Sequence, residues 1–247
     1  MSETSVQPSD ESPPPAFETK TLIEARGLSA GYGKMAVVRD LDLQVDAGEV
    51  VALIGANGAG KTTTLLTLAG ELKPLAGAVH FLGQFTRKPM HARCRAGLGY
   101  VTEERSVIMG ISVADNLRLA RVSPATAFGY FPALQPIMSR RAGLCSGGEQ
   151  QMLSLARALG RHPRLLLADE LSLGLAPIIV ANLLQAVRAA ADSGVGVLLV
   201  EQHVSQALKV ADRVYLMERG RVTLTGTSAE VQGQLHRIEA AYLTGGS

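Results

Sequence analysis

Apolar residues in this chain gather into short continuous runs, each followed by a turn and then by a stretch of helical composition. Val50 to Ile54 is the first such run; a glycine-rich turn follows at once, and then Thr62 to Ala69. That order predicts strand, loop, helix. The alternation returns at Leu165 to Ala168 and Val195 to Val200, read as buried strands, and at Ile178 to Ala191 and Val204 to Val210, read as helices. Parallel strands with crossover helices follow from it. Upstream the period is closer to two, with Val38, Leu41, Leu43 and Val45 inside the segment Ala36 to Val45. Together with Leu22 to Ala25 this predicts a small antiparallel sheet leading into the core. Between about 85 and 145 the pattern breaks into short mixed pieces punctuated by Pro124, Pro132 and Pro136, which predicts an inserted, mainly helical lobe. Residues 1–20, rich in Ser, Pro and acidic side chains, read as a disordered tail, and 21–247 as one domain.

Composition sharpens this picture. Of the 247 residues 47% are hydrophobic but only 4% aromatic, with no Trp, the aliphatic bias of a parallel sheet covered on both faces by helices. The net charge of +2 comes from scattered basic residues, not from a stripe that could track a duplex, so nucleic acid is not expected as a partner. The two thiols, Cys94 and Cys145, lack metal-ligand spacing and are expected to be reduced. No apolar run reaches the roughly 18 to 20 residues that span a bilayer, and no signal peptide is expected at the N-terminus. Work at a membrane would require a partner to hold the chain there.

Three segments carry candidate chemistry. Gly55-Ala56-Asn57-Gly58-Ala59-Gly60-Lys61-Thr62 has the G-x-x-x-x-G-K-T pattern and sits between a predicted strand and helix, the context that gives it meaning. Small residues let successive backbone N–H groups curl around phosphates, Lys61 adds a cation, and Thr62 offers a hydroxyl to Mg²⁺. Thr63 extends the phosphate-contacting set. Asp169 and Glu170 end the apolar run Leu165 to Ala168, and in an open parallel sheet strand ends converge on the ligand crevice. Asp169 is therefore expected to hold Mg²⁺ and Glu170 to polarise an attacking water. Ser146-Gly147-Gly148-Glu149-Gln150-Gln151 precedes a helix expected to run to about Leu159, and forms a second anion site at a helix N-terminus. A second phosphate reader makes sense if it serves the nucleotide of another subunit.

In this order the three motifs resemble the nucleotide-binding subunits of ABC transporters, over about Leu22 to Leu243. Glu103 in Tyr100-Val101-Thr102-Glu103, the segment Ser172-Leu173-Gly174-Leu175-Ala176-Pro177, and Val200-Glu201-Gln202 are most similar to the second ATPase of branched-chain amino-acid importers. The resemblance implies an α/β fold: a RecA-like P-loop NTPase core with a small antiparallel β subdomain and an inserted helical lobe. It also implies a head-to-tail dimer, with a like or unlike partner ATPase, holding two ATP molecules. Each would lie between one subunit's P-loop and the other's Ser146, Gly147, Gly148 and Glu149. Transmembrane permease subunits would keep the pair at the cytoplasmic face of the membrane, and a periplasmic solute-binding protein would act indirectly. Tyr32 matches the aromatic that stacks on adenine, Glu103 a residue near Mg²⁺ and the γ-phosphate, and Gln202 the position of the switch residue; the adjacent His203 is the competing assignment. ATP and Mg²⁺ are the implied cofactors. Hydrolysis coupled to import of branched-chain amino acids or related small polar solutes is the implied function, with a non-transport or regulatory ATPase as the alternative.

The chain departs from the family pattern at several positions. Glu103 stands where most members have Gln, Leu171 where Pro usually follows the catalytic Glu, and Cys145 where Leu precedes the signature Ser. The stretch from Asn116 to Leu144 is also shorter than its counterpart, and it belongs to the lobe expected to meet the membrane subunit.

Overall fold

A computed structural model describes residues 20–233. The expected tail lies outside the described residues apart from Lys20. The chain runs through β1 (Thr21–Tyr32), β2 (Met35–Asp46), β3 (Val50–Ile54), α1 (Lys61–Ala69), β4 (Ala76–Phe81), β5 (Gln84–Phe85), α2 (Met90–Arg95) and β6 (Leu98–Val101). There follow α3 (Val113–Leu119), α4 (Pro124–Tyr130), 3₁₀ turns at Pro132–Ile137 and Ala142–Leu144, and α5 (Gly147–Leu159). The last third holds β7 (Leu165–Asp169), α6 (Pro177–Asp192), β8 (Gly196–Glu201), α7 (Val204–Ala207), β9 (Arg213–Glu218), β10 (Arg221–Thr227) and α8 (Ser228–Gln232).

Two sheets result. The larger has the order β10-β9-β3-β8-β7-β6, with only β10 antiparallel to its neighbour. Its central strands β3, β7 and β8 are buried along their whole length, the environment a continuous apolar run requires. Successive side chains of β3 point to opposite faces. Val50, Ala52 and Ile54 therefore pack with α5, α6 and the lobe, whereas Val51 and Leu53 pack with α1 and the second sheet. That second sheet is antiparallel, in the order β2-β1-β4-β5. The break in its two-residue period, between Val38 and Leu41, is a bulge: the register shifts between Leu28↔Leu41 and Ala30↔Val38, and Asp40 takes φ of 52°.

Several expectations need redrawing. The segment 85–145 is not all lobe, because Leu98–Val101 forms the edge strand β6 of the core sheet, in register with β7. Gly99 interrupts its apolar run, so no period marks it in the sequence. The helix expected over Val204–Val210 closes after Ala207, since residues 208–210 form a turn into β9. Strands β4 and β10 carry exposed alternate positions and a glycine each and do not show as runs, whereas β9 holds a continuous buried run, Val214 to Met217, that the expected elements do not include. The strand order brings the carboxyl ends of β3, β8 and β7 side by side, and there the candidate residues meet.

Candidate functional site

The loop between β3 and α1 is shaped by two glycines. A Cβ on Gly55 would stand 2.6 Å from the Met217 carbonyl oxygen, so no other residue fits without moving β9. Gly60 caps α1 with φ of 107°, a left-handed conformation that costs L side chains strain. The loop is further fixed by Gly220 N–H donating to the Ala59 carbonyl at 2.9 Å. The first turn of α1 has no acidic residue, leaving its N-terminal N–H groups and partial positive charge free for an anion. A cavity of about 340 Å³ opens here, bounded on the loop side by Gly58, Gly60, Lys61 and Thr62 and on the far side by Glu103 and Glu170.

Lys61 is buried, and its ammonium donates to the carbonyls of Gly55 at 2.8 Å and Ala56 at 3.3 Å. It also pairs with Glu170 Oε1 at 3.3 Å. Phosphates in the cavity would compete for this ammonium and release Glu170 to a water. Glu170 itself sits just past β7 with φ of 46°, held there by its own N–H donating to the Val200 carbonyl at 3.0 Å. A left-handed conformation at a non-glycine residue is strain of the kind that functional sites retain.

Asp169 ends β7 almost fully buried. Burial pushes its carboxyl up to about 6, and the nearby charges of Glu170 and Glu103 act in the same direction; a hydrogen bond from Thr62 and the charge of Lys61 oppose them. Its Oδ1 is buried with no hydrogen-bond partner. A buried orphan carboxylate oxygen beside the Thr62 hydroxyl fits a divalent cation. Among the described residues no cluster of three or more His, Cys, Asp or Glu could hold a metal alone. Mg²⁺ keeps waters and phosphate oxygens in its shell and takes only one or two protein ligands, which Asp169 and Thr62 could supply.

The Ser146 segment lies elsewhere. Ser146 caps α5 in a reciprocal capping box with Glu149: the Glu149 N–H donates to Ser146 Oγ at 3.3 Å, and the Ser146 N–H to Glu149 Oε2 at 2.6 Å. Arg140 pairs with Glu149 at 3.2 Å. None of Ser146, Gly147, Gly148 or Glu149 lines the phosphate cavity. The turn carrying Glu103 is packed on α5 instead: Arg157 donates to the Ser106 carbonyl, and the Arg105 guanidinium lies 3.0 Å from where a Gly147 Cβ would stand. The turn after Glu103 is therefore packed on the signature helix through Arg105 and Ser106, while Glu103 itself lines the phosphate cavity.

The remaining expected residues are placed as follows. Tyr32 ends β1 and is 54% exposed, open to a stacking partner. Gln202 is half-buried just past β8, whereas His203 is exposed and serves as the backbone N-cap of α7. Leu171 and Cys145 are both buried within the main core, so these departures preserve apolar packing. Burial also pushes the Cys145 thiol up.

Sequence reasoning gave no role to Glu201, which ends β8 with 1% exposure. Burial pushes its carboxyl up to about 7 from an ordinary 4.5, although hydrogen bonds from Ser172 oppose the shift. The folded chain thus binds this proton more firmly than the unfolded chain. Stability falls as pH rises from about 4.5 to 7, and the penalty, on the order of 3 kcal/mol, persists above that. Glu201→Gln removes it. Thermal melts should show the variant more stable than wild type by roughly 6 to 12 °C at pH 8, with the gap closing toward pH 5. A gap independent of pH would show that Glu201 is not held above its ordinary range.

A phosphate loop at the end of β3, an acidic pair at the end of β7 and a capped signature helix whose first turn lies outside the phosphate cavity define an ATP-binding cassette. The sequence matches the ABC transporter family over residues 38–172, and the chain belongs to that family as an ATP-hydrolysing subunit. It is 40% identical over 228 residues to the high-affinity branched-chain amino acid transport ATP-binding protein BraG of Pseudomonas aeruginosa, covering 88% of this chain and 97% of that one. It is 36% identical to the lipopolysaccharide export system ATP-binding protein LptB of Acidithiobacillus ferridurans, over 85% and 92% of the two chains. A solved ATP-binding subunit of an ABC transporter superposes with a TM-score of 0.76 at 29% identity, over 91% of this chain and 99% of that one. Among the described residues no helix is long and apolar enough to cross a membrane.

Proposed function

We propose that this chain powers the import of branched-chain amino acids or related small polar solutes, as one of two cassettes that close on ATP. The likeness to the branched-chain relative, which extends over nearly the whole of both chains, carries the substrate class. Glu170 orients a water in line with the γ-phosphate, Lys61 and the α1 N-terminus hold the phosphates, and Gln202 contacts the γ-phosphate from β8. Thr62, Asp169 and Glu103 face the place of Mg²⁺, which when bound neutralises the phosphate oxygens. Tyr32 stacks on the base. The partner subunit's signature completes each site, and Ser146, Gly147, Gly148 and Glu149 do the same for the partner.

Permease subunits hold the pair at the cytoplasmic face of the membrane and receive the movement, with a solute-binding protein delivering cargo on the other side. A groove of about 720 Å³ beside the Glu103 turn supports this docking; Met90, Cys94, Leu119, Arg157 and Arg161 line it. Its mixture of aliphatic and guanidinium groups suits a short amphipathic helix with an acidic end. The likeness to the lipopolysaccharide export relative favours a second reading, in which the cargo is a lipid-linked glycan moving outward. Uptake of labelled leucine by cells that carry or lack this chain separates the two. The proposal expects uptake to collapse on deletion and return with the wild-type chain. Unchanged uptake together with a defect in the outer-membrane glycolipid supports the second reading instead.

A further inference from the structure

One buried carboxylate in the catalytic centre has no place in the scheme above. Glu201 closes β8, the strand between the phosphate-loop strand β3 and the acidic strand β7, and lies in register with Ile54, the residue before Gly55. Burying a carboxylate is costly unless its oxygens find donors, and an aliphatic residue would continue the run Val197 to Val200 at no such cost. The donors that Glu201 finds both belong to Ser172. The Ser172 N–H donates to Oε1 at 3.2 Å and the Ser172 hydroxyl to Oε2 at 2.6 Å.

These two bonds fall at a decisive place. Ser172 lies two residues after Glu170, whose own N–H donates to the carbonyl of Val200, the neighbour of Glu201. The strained turn at Glu170 is thus pinned from β8 on both sides, by Val200 before it and by Glu201 after it. The next residue, Leu173, lines the phosphate cavity. Beyond it the loop runs to Pro177, where α6 starts. Gln202 follows Glu201 directly, so a single side chain joins the loop after Glu170 to the segment carrying Gln202.

We propose that Glu201 is a positioning residue for hydrolysis, clamping Ser172 so that the turn at Glu170 holds its carboxylate toward the γ-phosphate in step with Gln202. The proposal rests on the reading of Glu170 as the group that polarises water. Glutamine at 201 keeps both bonds, since its amide oxygen accepts from the Ser172 N–H and its NH₂ donates to the Ser172 hydroxyl. Alanine keeps neither. Ser172→Ala loses the hydroxyl bond but retains the N–H bond.

The test measures ATP turnover of the assembled transporter complex, with fluorescent-ATP binding and thermal melts, for Glu201→Ala, Glu201→Gln and Ser172→Ala. Misplacing a reacting group by about an ångström costs up to about 10² in rate, so Glu201→Ala is expected to lower kcat by about tenfold or more while KM for ATP stays within about twofold. Glu201→Gln should recover the rate to within about threefold of wild type, and Ser172→Ala should fall between. A kcat within about twofold of wild type in both Glu201→Ala and Ser172→Ala, measured beside an inactive Glu170→Gln, overturns the positioning role and leaves the reading of Glu170 standing. If Glu201→Ala does not fold, Ser172→Ala and Glu201→Gln decide the matter. An active Glu170→Gln would instead remove the reading on which the proposal rests.

Discussion

Glu170→Gln is expected to bind Mg·ATP at least as tightly as the wild type and to hydrolyse it about 10² to 10³ times more slowly, the usual cost of losing one preorganised group at a reacting centre. Two features of the structure give this expectation its form. The amide is isosteric with the carboxylate and fits the same strained turn, so the fold at residue 170 should persist. Removing the charge also releases Lys61 from its ion pair with Glu170 at 3.3 Å, leaving only the Gly55 and Ala56 carbonyls to compete with the phosphates. Binding and turnover should therefore move in opposite directions, and a closed, ATP-loaded pair of cassettes should accumulate. Single-turnover hydrolysis and size-exclusion chromatography with ATP test both halves. Turnover near the wild-type rate would assign the activation of water to another group.

Much of this arrangement was legible in the sequence wherever a continuous apolar run met a residue type it could not tolerate. Gly55 after Val50–Ile54 and Asp169 after Leu165–Ala168 announced the two strand ends, and the structure sets them one strand apart in the sheet. The same signal was present at Glu201, after Val195 to Val200. It went unread because Glu201 gains meaning only through Ser172, a contact across 29 positions of sequence. Strand β6 was missed for a different reason. Leu98-Gly99-Tyr100-Val101 is too short and mixed to show a period, and only pairing with β7 makes it a strand. The bulge at Asp40 was visible as a skipped beat between Val38 and Leu41, but a skipped beat does not say which residue bends. The choice between Gln202 and His203 rested on spacing alone. In the structure His203 is exposed at the start of α7, which leaves Gln202 as the half-buried neighbour of β8.

The second large effect is expected at the signature. It follows from the proposal that a partner's signature completes each site, which is supported by a phosphate cavity bounded by the P-loop, Glu103 and Glu170 with no contribution from Ser146 to Glu149. Ser146→Asp suits the test because Asp is as good an N-cap as Ser, so α5 should keep its start. The new carboxylate would stand where a γ-phosphate carried by the partner subunit approaches, replacing a donor with a like charge. Turnover of the assembled complex should fall by about 10² or more. The most direct measurement is ATP affinity and turnover of this one variant side by side. The isolated chain is expected to bind ATP within about twofold of the wild type, since the altered residue does not line its own phosphate cavity, while hydrolysis by the complex is lost. Weakened ATP binding by the isolated chain, or undiminished hydrolysis by the complex, would contradict that proposal.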